Sequence, residues 1–276
     1  MANTTLQGNI AFHPDSIVPV SEAVPGCIAL DTRIATLGPV IEGDAPSIRL
    51  PFVAVQPMAG ITKKGKAITE STPGLSELVV RTVKVGLLTE VSREAYSHEQ
   101  SASSITDSAR RAVTRQLDTI LLAKKTATDN GPGIAHTHGI SNIDATGYAQ
   151  ALDALLDAIA AVAEQGANPT AIVMNFATWA KLLKVKGEDG RGIVSSDVAN
   201  APQASIYGIP LVINGATPAD TILVLDSSTI LVSLGNVYAD VADGDAFRRD
   251  SLQIRITCRL GWGSINAAQI GKVTIK

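Results

Sequence analysis

The chain has 276 residues, 45% of them hydrophobic and 18% charged, enough to bury one large core or two smaller ones and to argue against disorder. Its 23 basic and 26 acidic residues leave a net charge of -3, without the electrostatic footprint of a dedicated nucleic-acid binder. Cys27 and Cys258 are too far apart in sequence to read as a metal or redox pair, and no segment reaches the roughly 20 apolar residues of a membrane span, so no membrane partner is expected.

Twenty-three Gly, 13 Pro and many short Val, Ile and Thr runs predict a mixed α+β chain. Residues 1–46 are broken repeatedly by Pro14, Pro19, Pro25, Gly38, Pro39 and Pro46, which predicts an extended arm. Such an arm has no core of its own and must lie across its own body or a neighbour. The beginning, MANTTLQGNIAFHPD, lacks a positive region followed by an apolar one, so no secretory signal is expected and a reduced, cytoplasmic setting fits. Residues 47–91 read as a long hairpin, rising through SIRLPFVAV, turning in AGITKKGKAITESTPG and returning through LSELVVRTVKVGLLTEVS. A hairpin of this length is marginal alone and is expected to lie on another chain.

The stretch TDSARRAVTRQLDTILLAKK, residues 106–125, predicts a long amphipathic helix. Ala109, Val113, Leu117, Ile120 and Leu121 form its buried stripe, with Arg110, Arg111, Thr114, Arg115 and Asp118 on other faces. Ser104 or Thr106 is the expected N-cap. After the loop ATDNGPGIAHTHGISNID, a second helix carries Leu152, Leu155, Ile159 and Val162, capped by Asp144 or Thr146 and stopped at Gly166. Strand TAIVMNF, helix TWAKLLKV, strand IPLVI and a strand pair TILVLD and TILVSL complete an α/β unit. In LQIRITCRL the residues Leu252, Ile254, Ile256, Cys258 and Leu260 alternate with polar ones, predicting a strand whose apolar face covers the long helix.

Chemistry-bearing motifs are sparse. Gly60 to Lys66 has phosphate-loop spacing, but Ala67 stands where the Mg²⁺-ligating hydroxyl belongs and no helix should follow. His136 and His138 would face one side of an extended segment, yet lack a third ligand nearby; a solvated loop is the better reading. Asp240, Asp243 and Asp245 do not follow calcium-loop spacing, and Glu188 with Asp189 reads as a solubilising turn. No nucleophile elbow or activated cysteine is visible, so no catalytic, metal or cofactor residue is predicted.

In order and spacing these elements resemble the major capsid proteins of tailed bacteriophages, with the HK-ninety-seven fold shared by encapsulins. The resemblance rests on Glu70 with LVVRTVKVGLLTEVSREAYSHE, on Asp118 with Leu121 and Leu122 as an Asp-x-x-Leu-Leu helix ending, and on GPGIAHTHGI. It rests further on PTAIVMNFATWAKLLKVKGEDGRGIV with YGIPLVI and ILVLD, and on FRRDSLQIRITCRLGW. It implies an arm (1–46), an extended loop (47–91), a peripheral domain with a spine helix (92–130 and 241–276) and an axial domain (131–240). It implies pentamers and hexamers closing an icosahedral shell around double-stranded DNA, assembled in the bacterial cytoplasm. Lys63, Lys64, Lys66 and Glu70 at the loop tip would serve assembly, and Arg110, Arg111 and Arg115 would touch scaffold or, weakly, packaged DNA. Many relatives carry a helical scaffolding segment that is later removed; the short arm beginning at Met1 suggests a separate scaffolding protein here, beside a portal. A loop lysine and an asparagine such as Asn266 crosslink in some relatives, which residue types alone do not predict here. The alternatives are an encapsulin-like nanocompartment and a soluble α/β enzyme using His136 and His138.

Overall fold

The computed structural model describes residues 16–18, 26–43, 45–55, 57–97, 99–125, 131–186 and 204–276. Two sheets share one buried layer, and the strand β12 (Ser251–Ser264) organises the first. Along one edge it pairs antiparallel with β4 (Gly74–Ser92). Its other edge takes β11 (Val237–Ala242) first and then β10 (Ile230–Leu234). β1 (Ser16–Val18) adds to β11, and β2 (Thr36–Leu37) adds in parallel to β10. The outermost strand is β3 (Ser47–Val55), paired only with the 74–81 portion of β4. β4 therefore belongs half to the sheet and half to a hairpin that leaves it.

A short helix α1 (Arg93–Ser97) leads into α2 (Glu99–Leu122), which at 1.5 Å per residue is about 36 Å long. Its predicted stripe is the observed one: Ala109, Val113, Leu117, Ile120 and Leu121 are all buried, together with Leu122. They pack on Ile254, Ile256, Cys258, Leu260 and Trp262 of β12, the alternate face expected from period two. Burial of each Val, Leu or Ile side chain among them is worth roughly 1.5–3 kcal/mol. The helix starts before both expected caps, five residues ahead of Ser104 and seven ahead of Thr106, because no Gly or Pro stands between to stop it.

The second sheet has the order β5-β13-β9-β6-β8-β7, from Ser141–Ala145, Gly271–Ile275, Thr221–Leu225, Ala171–Met174, Ile209–Ile213 and Ser205–Ile206. One face, with Ile172, Met174, Ile222, Val224, Val273 and Ile275, packs on α3 (Tyr148–Glu164) and α4 (Phe176–Leu183). The opposite face, with Ala171, Val173, Leu223 and Leu225, joins the α2 core. A sheet buried on both faces explains the uninterrupted apolar runs in β6 and β9. α3 begins after Gly147 at φ +83 with no side-chain cap, so neither Asp144 nor Thr146 serves there, and Gly166 at φ +77 follows its end. Asn175 caps α4, accepting the Thr178 N–H at 2.7 Å.

Three strands depart from the ranges read in the sequence: β10 and β11 belong to the helix-bearing sheet and β13 to the other. β9 and β10 are not a pair: the Asp226 carboxylate accepts from Ser228 N and from Asn168 N, and the chain passes there from the second sheet to the first. The terminal strand β13 lies between β5 and β9, not in the helix-bearing sheet. Gly271 permits this, since a Cβ there would meet Val162 and Val224 at 3.1 Å each.

Candidate functional site: the hairpin and the helix face

The hairpin is firmly seated at its base. Val80 is 1% exposed, and the side chains of Val80 and Leu78 lie where Cβ atoms of Gly261 and Gly263 would be. Thr82 donates its N–H to Pro46 O at 2.9 Å and its hydroxyl to Ala45 O, while its Oγ1 accepts from Arg259 at 3.1 Å. Beyond this base the strands are solvent-facing, joined across by an exposed Arg49–Glu77 pair worth at most about 1 kcal/mol. Met58, Ile61 and Ile68 near the tip are 85%, 104% and 83% exposed, an unusual state for three large apolar side chains in one segment.

Lys63, Lys64, Lys66 and Glu70 are all exposed in this tip. Lys66 N donates to Lys63 O at 3.0 Å around Gly65, whose φ of +79 fits a tight turn. No helix follows Lys66, so the tip lacks the geometry of a phosphate loop. On α2, Arg110, Arg111 and Arg115 are exposed on the face opposite the core. Asp107 lies 3.9 Å from Arg110, and Arg115 Nε donates to Arg111 O at 3.2 Å. The hairpin lysines and the helix arginines are on separate elements and form no single cluster.

The histidine loop is a turn of 3₁₀ helix at Ile134–His136, not an extended segment. His136 is held below its ordinary value by burial first, then by Lys272 and Lys125. Among the described residues no group of three or more His, Cys, Asp or Glu is gathered for a metal. Asp240 pairs with Arg255 and Asp243 with Arg93. Glu188 and Asp189 lie outside the described residues. No helix among those residues is long and apolar enough to cross a membrane.

One residue was misread from its pattern. Asp118 does not hold a wet face of α2; it is 5% exposed. Its Oδ1 accepts from Ile28 N at 2.9 Å and from the Cys27 thiol at 3.3 Å, and its Oδ2 accepts from Asn214 Nδ2 at 2.8 Å. The available signal was its position beside Leu117 and one turn before Leu121 and Leu122, at the border of the buried stripe. Part of the arm lies on the same core: Cys27, Ile28, Ala29, Ile34 and Ala35 are buried against it. Both cysteines are free and buried.

The phage capsid family matches residues 31–275, which is most of the chain. The chain belongs to the phage capsid family. Solved structures agree in fold. A chain from Microbacterium phage Oxtober96 superposes with a TM-score of 0.70 at 17% identity, covering 100% of both chains. One from Mycobacterium phage Adephagia gives 0.67 at 18% identity, covering 98% of this chain and 97% of that one. The capsid of an empty GTA particle gives 0.68 at 14%, covering 100% and 98%. No curated protein sequence matches the chain. It is a major capsid protein with the HK-ninety-seven fold, a structural component of the virion that self-assembles into the head shell and is not an enzyme. The encapsulin-like and enzymatic alternatives are not favoured by this membership.

Proposed function

We propose that this capsid protein closes an icosahedral shell as pentamers and hexamers in which each hairpin lies on a neighbouring subunit. The carrying observation is the contrast within the hairpin, a base fixed by Val80 over Gly261 and a tip that leaves Met58, Ile61 and Ile68 in water. A second copy is the surface that would cover them, with Lys63, Lys64, Lys66 and Glu70 making polar contacts at its rim. Five-fold vertices fit the C5 symmetry with which the GTA capsid was computed. In this reading the sheet bearing α2 is the peripheral domain, the second sheet with α3 and α4 is the axial domain, and residues 1–46 are the arm.

Assembly takes place in the host cytoplasm with a separate scaffolding protein and a portal. Arg110, Arg111 and Arg115 supply a weak, sequence-independent contact with scaffold or double-stranded DNA. A net charge of -3 suits a wall that must release its genome, because dense basic charge would retain phosphate. The test is light scattering and negative-stain microscopy of the parent chain and of a variant whose residues 57–73 are replaced by Asn-Gly. Shells or rings of five and six from the parent, and a folded monomer from the variant, are expected. A parent that stays monomeric with its neighbouring genes co-expressed, or a variant that assembles as well as the parent, overturns the reading.

A further inference from the structure

The Asp118 carboxylate holds two separate parts of the chain through three donors, and its surroundings are not those of a stabilising ion pair. It is buried, and among the described residues its partners are all neutral: a backbone N–H and a thiol from the arm, and an amide from the loop after β8. A buried carboxylate without a cation is tolerated only while hydrogen-bond donors replace its water, and each donor to a charged group matters more than an ordinary one. The two donor sides come from segments about 190 residues apart in the chain that meet at this one carboxylate. The arm residues Gly26, Cys27, Ile28 and Leu30 and the residues Val212, Ile213 and Asn214 border one cleft of about 280 Å³, so arm and β8 are not fully packed on each other there and the Asp118 carboxylate is what both donor sides hold in common. The Asn214 end is itself fixed: its N–H donates to Met174 O at 3.0 Å, and its Oδ1 accepts from Ala216 N at 2.7 Å.

We propose that Asp118 is a coupling pin: it makes docking of the arm onto α2 depend on the position of the second sheet, and the reverse. The carboxylate is fully satisfied only when both donor sides are in place. If the Asn214 amide withdraws, Oδ2 is left bare and the carboxylate gains by turning towards water, which releases Ile28 N and the Cys27 thiol. If the arm lifts, Oδ1 is bare and the hold on Asn214 weakens. The two events are thermodynamically linked through one side chain, and linkage of this kind is reciprocal. The Cys27 thiol agrees with this setting: burial and the adjacent Asp118 carboxylate push it up, keeping it a donor. The inference concerns the folded subunit and does not rest on the shell reading.

The test is residue-resolved amide hydrogen exchange on the full chain, comparing the same oligomeric species for each variant. Substituting Asp118 itself would leave three donors bare and risks misfolding, so its partners are changed instead. Asn214→Ala should speed exchange at Ile28, on the other donor side of the carboxylate, by about tenfold or more, the consequence of losing a hydrogen bond to a charged group. Ile28→Pro removes the arm's N–H donor, and Cys27 with φ -62 and ψ 129 already has a conformation that accepts a following proline. It should speed exchange at Ala216, whose N–H is held by Asn214. The control is Thr170→Val, which removes a different bond between the second sheet and the arm, from Thr170 Oγ1 to Arg33 O at 2.6 Å, together with the acceptor of Ser227 N, without touching Asp118. It should leave Ile28 as protected as in the parent. Faster exchange confined to residues 212–217 in Asn214→Ala, or equal release of Ile28 by Thr170→Val, would overturn the coupling role.

Discussion

At Gly261 a missing side chain decides where a whole hairpin points. A Cβ there would stand 2.8 Å from Val80 Cγ1 and 3.2 Å from Arg81 O, and the backbone oxygen has no rotamer with which to yield. Gly261→Val should therefore lift β4 from β12 at the hairpin base and cost about 1–3 kcal/mol, read as a lowered denaturation midpoint. The same substitution should also impair assembly, read by light scattering, because the direction of the tip is set at this base. Cys258 makes a separate prediction about pH. Burial pushes its thiol up from an ordinary 9.0 to about 11. Below pH 9 both folded and unfolded chains hold the proton, and the contribution is intact. Between 9 and about 11 the unfolded thiol ionises while the folded one does not, so stability falls with rising pH by about 1.4 kcal/mol per unit for this group. Urea melts of the parent and of Cys258→Ala across that window should show a shallower decline in the variant, and parallel declines would refute the assignment.

Among the elements, α2 carries the largest share of the joint core. Leu121 has no exposed surface and is packed where the helix meets both sheets. Leu121→Ala should cost about 2–5 kcal/mol, since removed methyl groups leave a cavity that strands on either side cannot fill by collapsing. Chemical denaturation gives the value, and a loss under about 1 kcal/mol would mean the layers relax freely. The stripe to which Leu121 belongs was readable because period 3.6 maps sequence directly onto a face. Asp118 was not: a carboxylate one position after a core leucine reads as polar until its three donors are seen. β13 illustrates the same limit, since alternation in Gly271–Ile275 announces a strand but not which sheet receives it.

For the whole molecule, family membership fixes a shell role while leaving open how the two exposed surfaces share the work. If the α2 arginines touch packaged nucleic acid as proposed, replacing Arg110, Arg111 and Arg115 by Gln should weaken binding of the purified subunit to duplex DNA uniformly across sequences. The log-log slope of affinity against salt should fall by at most about 3, one counterion per arginine. Unchanged binding and slope would assign that face to scaffold or solvent. The hairpin should behave oppositely, its truncation leaving DNA affinity alone.

Sequence alone determined what local periodicity encodes: the buried stripe of α2, the alternating face of β12, the exposed turn around Gly65, and the order of elements that marks the capsid family. Those features depend on side chains a few positions apart, where helix and strand geometry are fixed by the backbone. Only the tertiary structure decided which sheet takes β10 and β13, why Gly261 and Gly263 are glycines, and that Asp118 is buried between arm and second sheet. Each of these joins residues tens to hundreds of positions apart, and no local pattern records which distant donor or side chain will fill a given space.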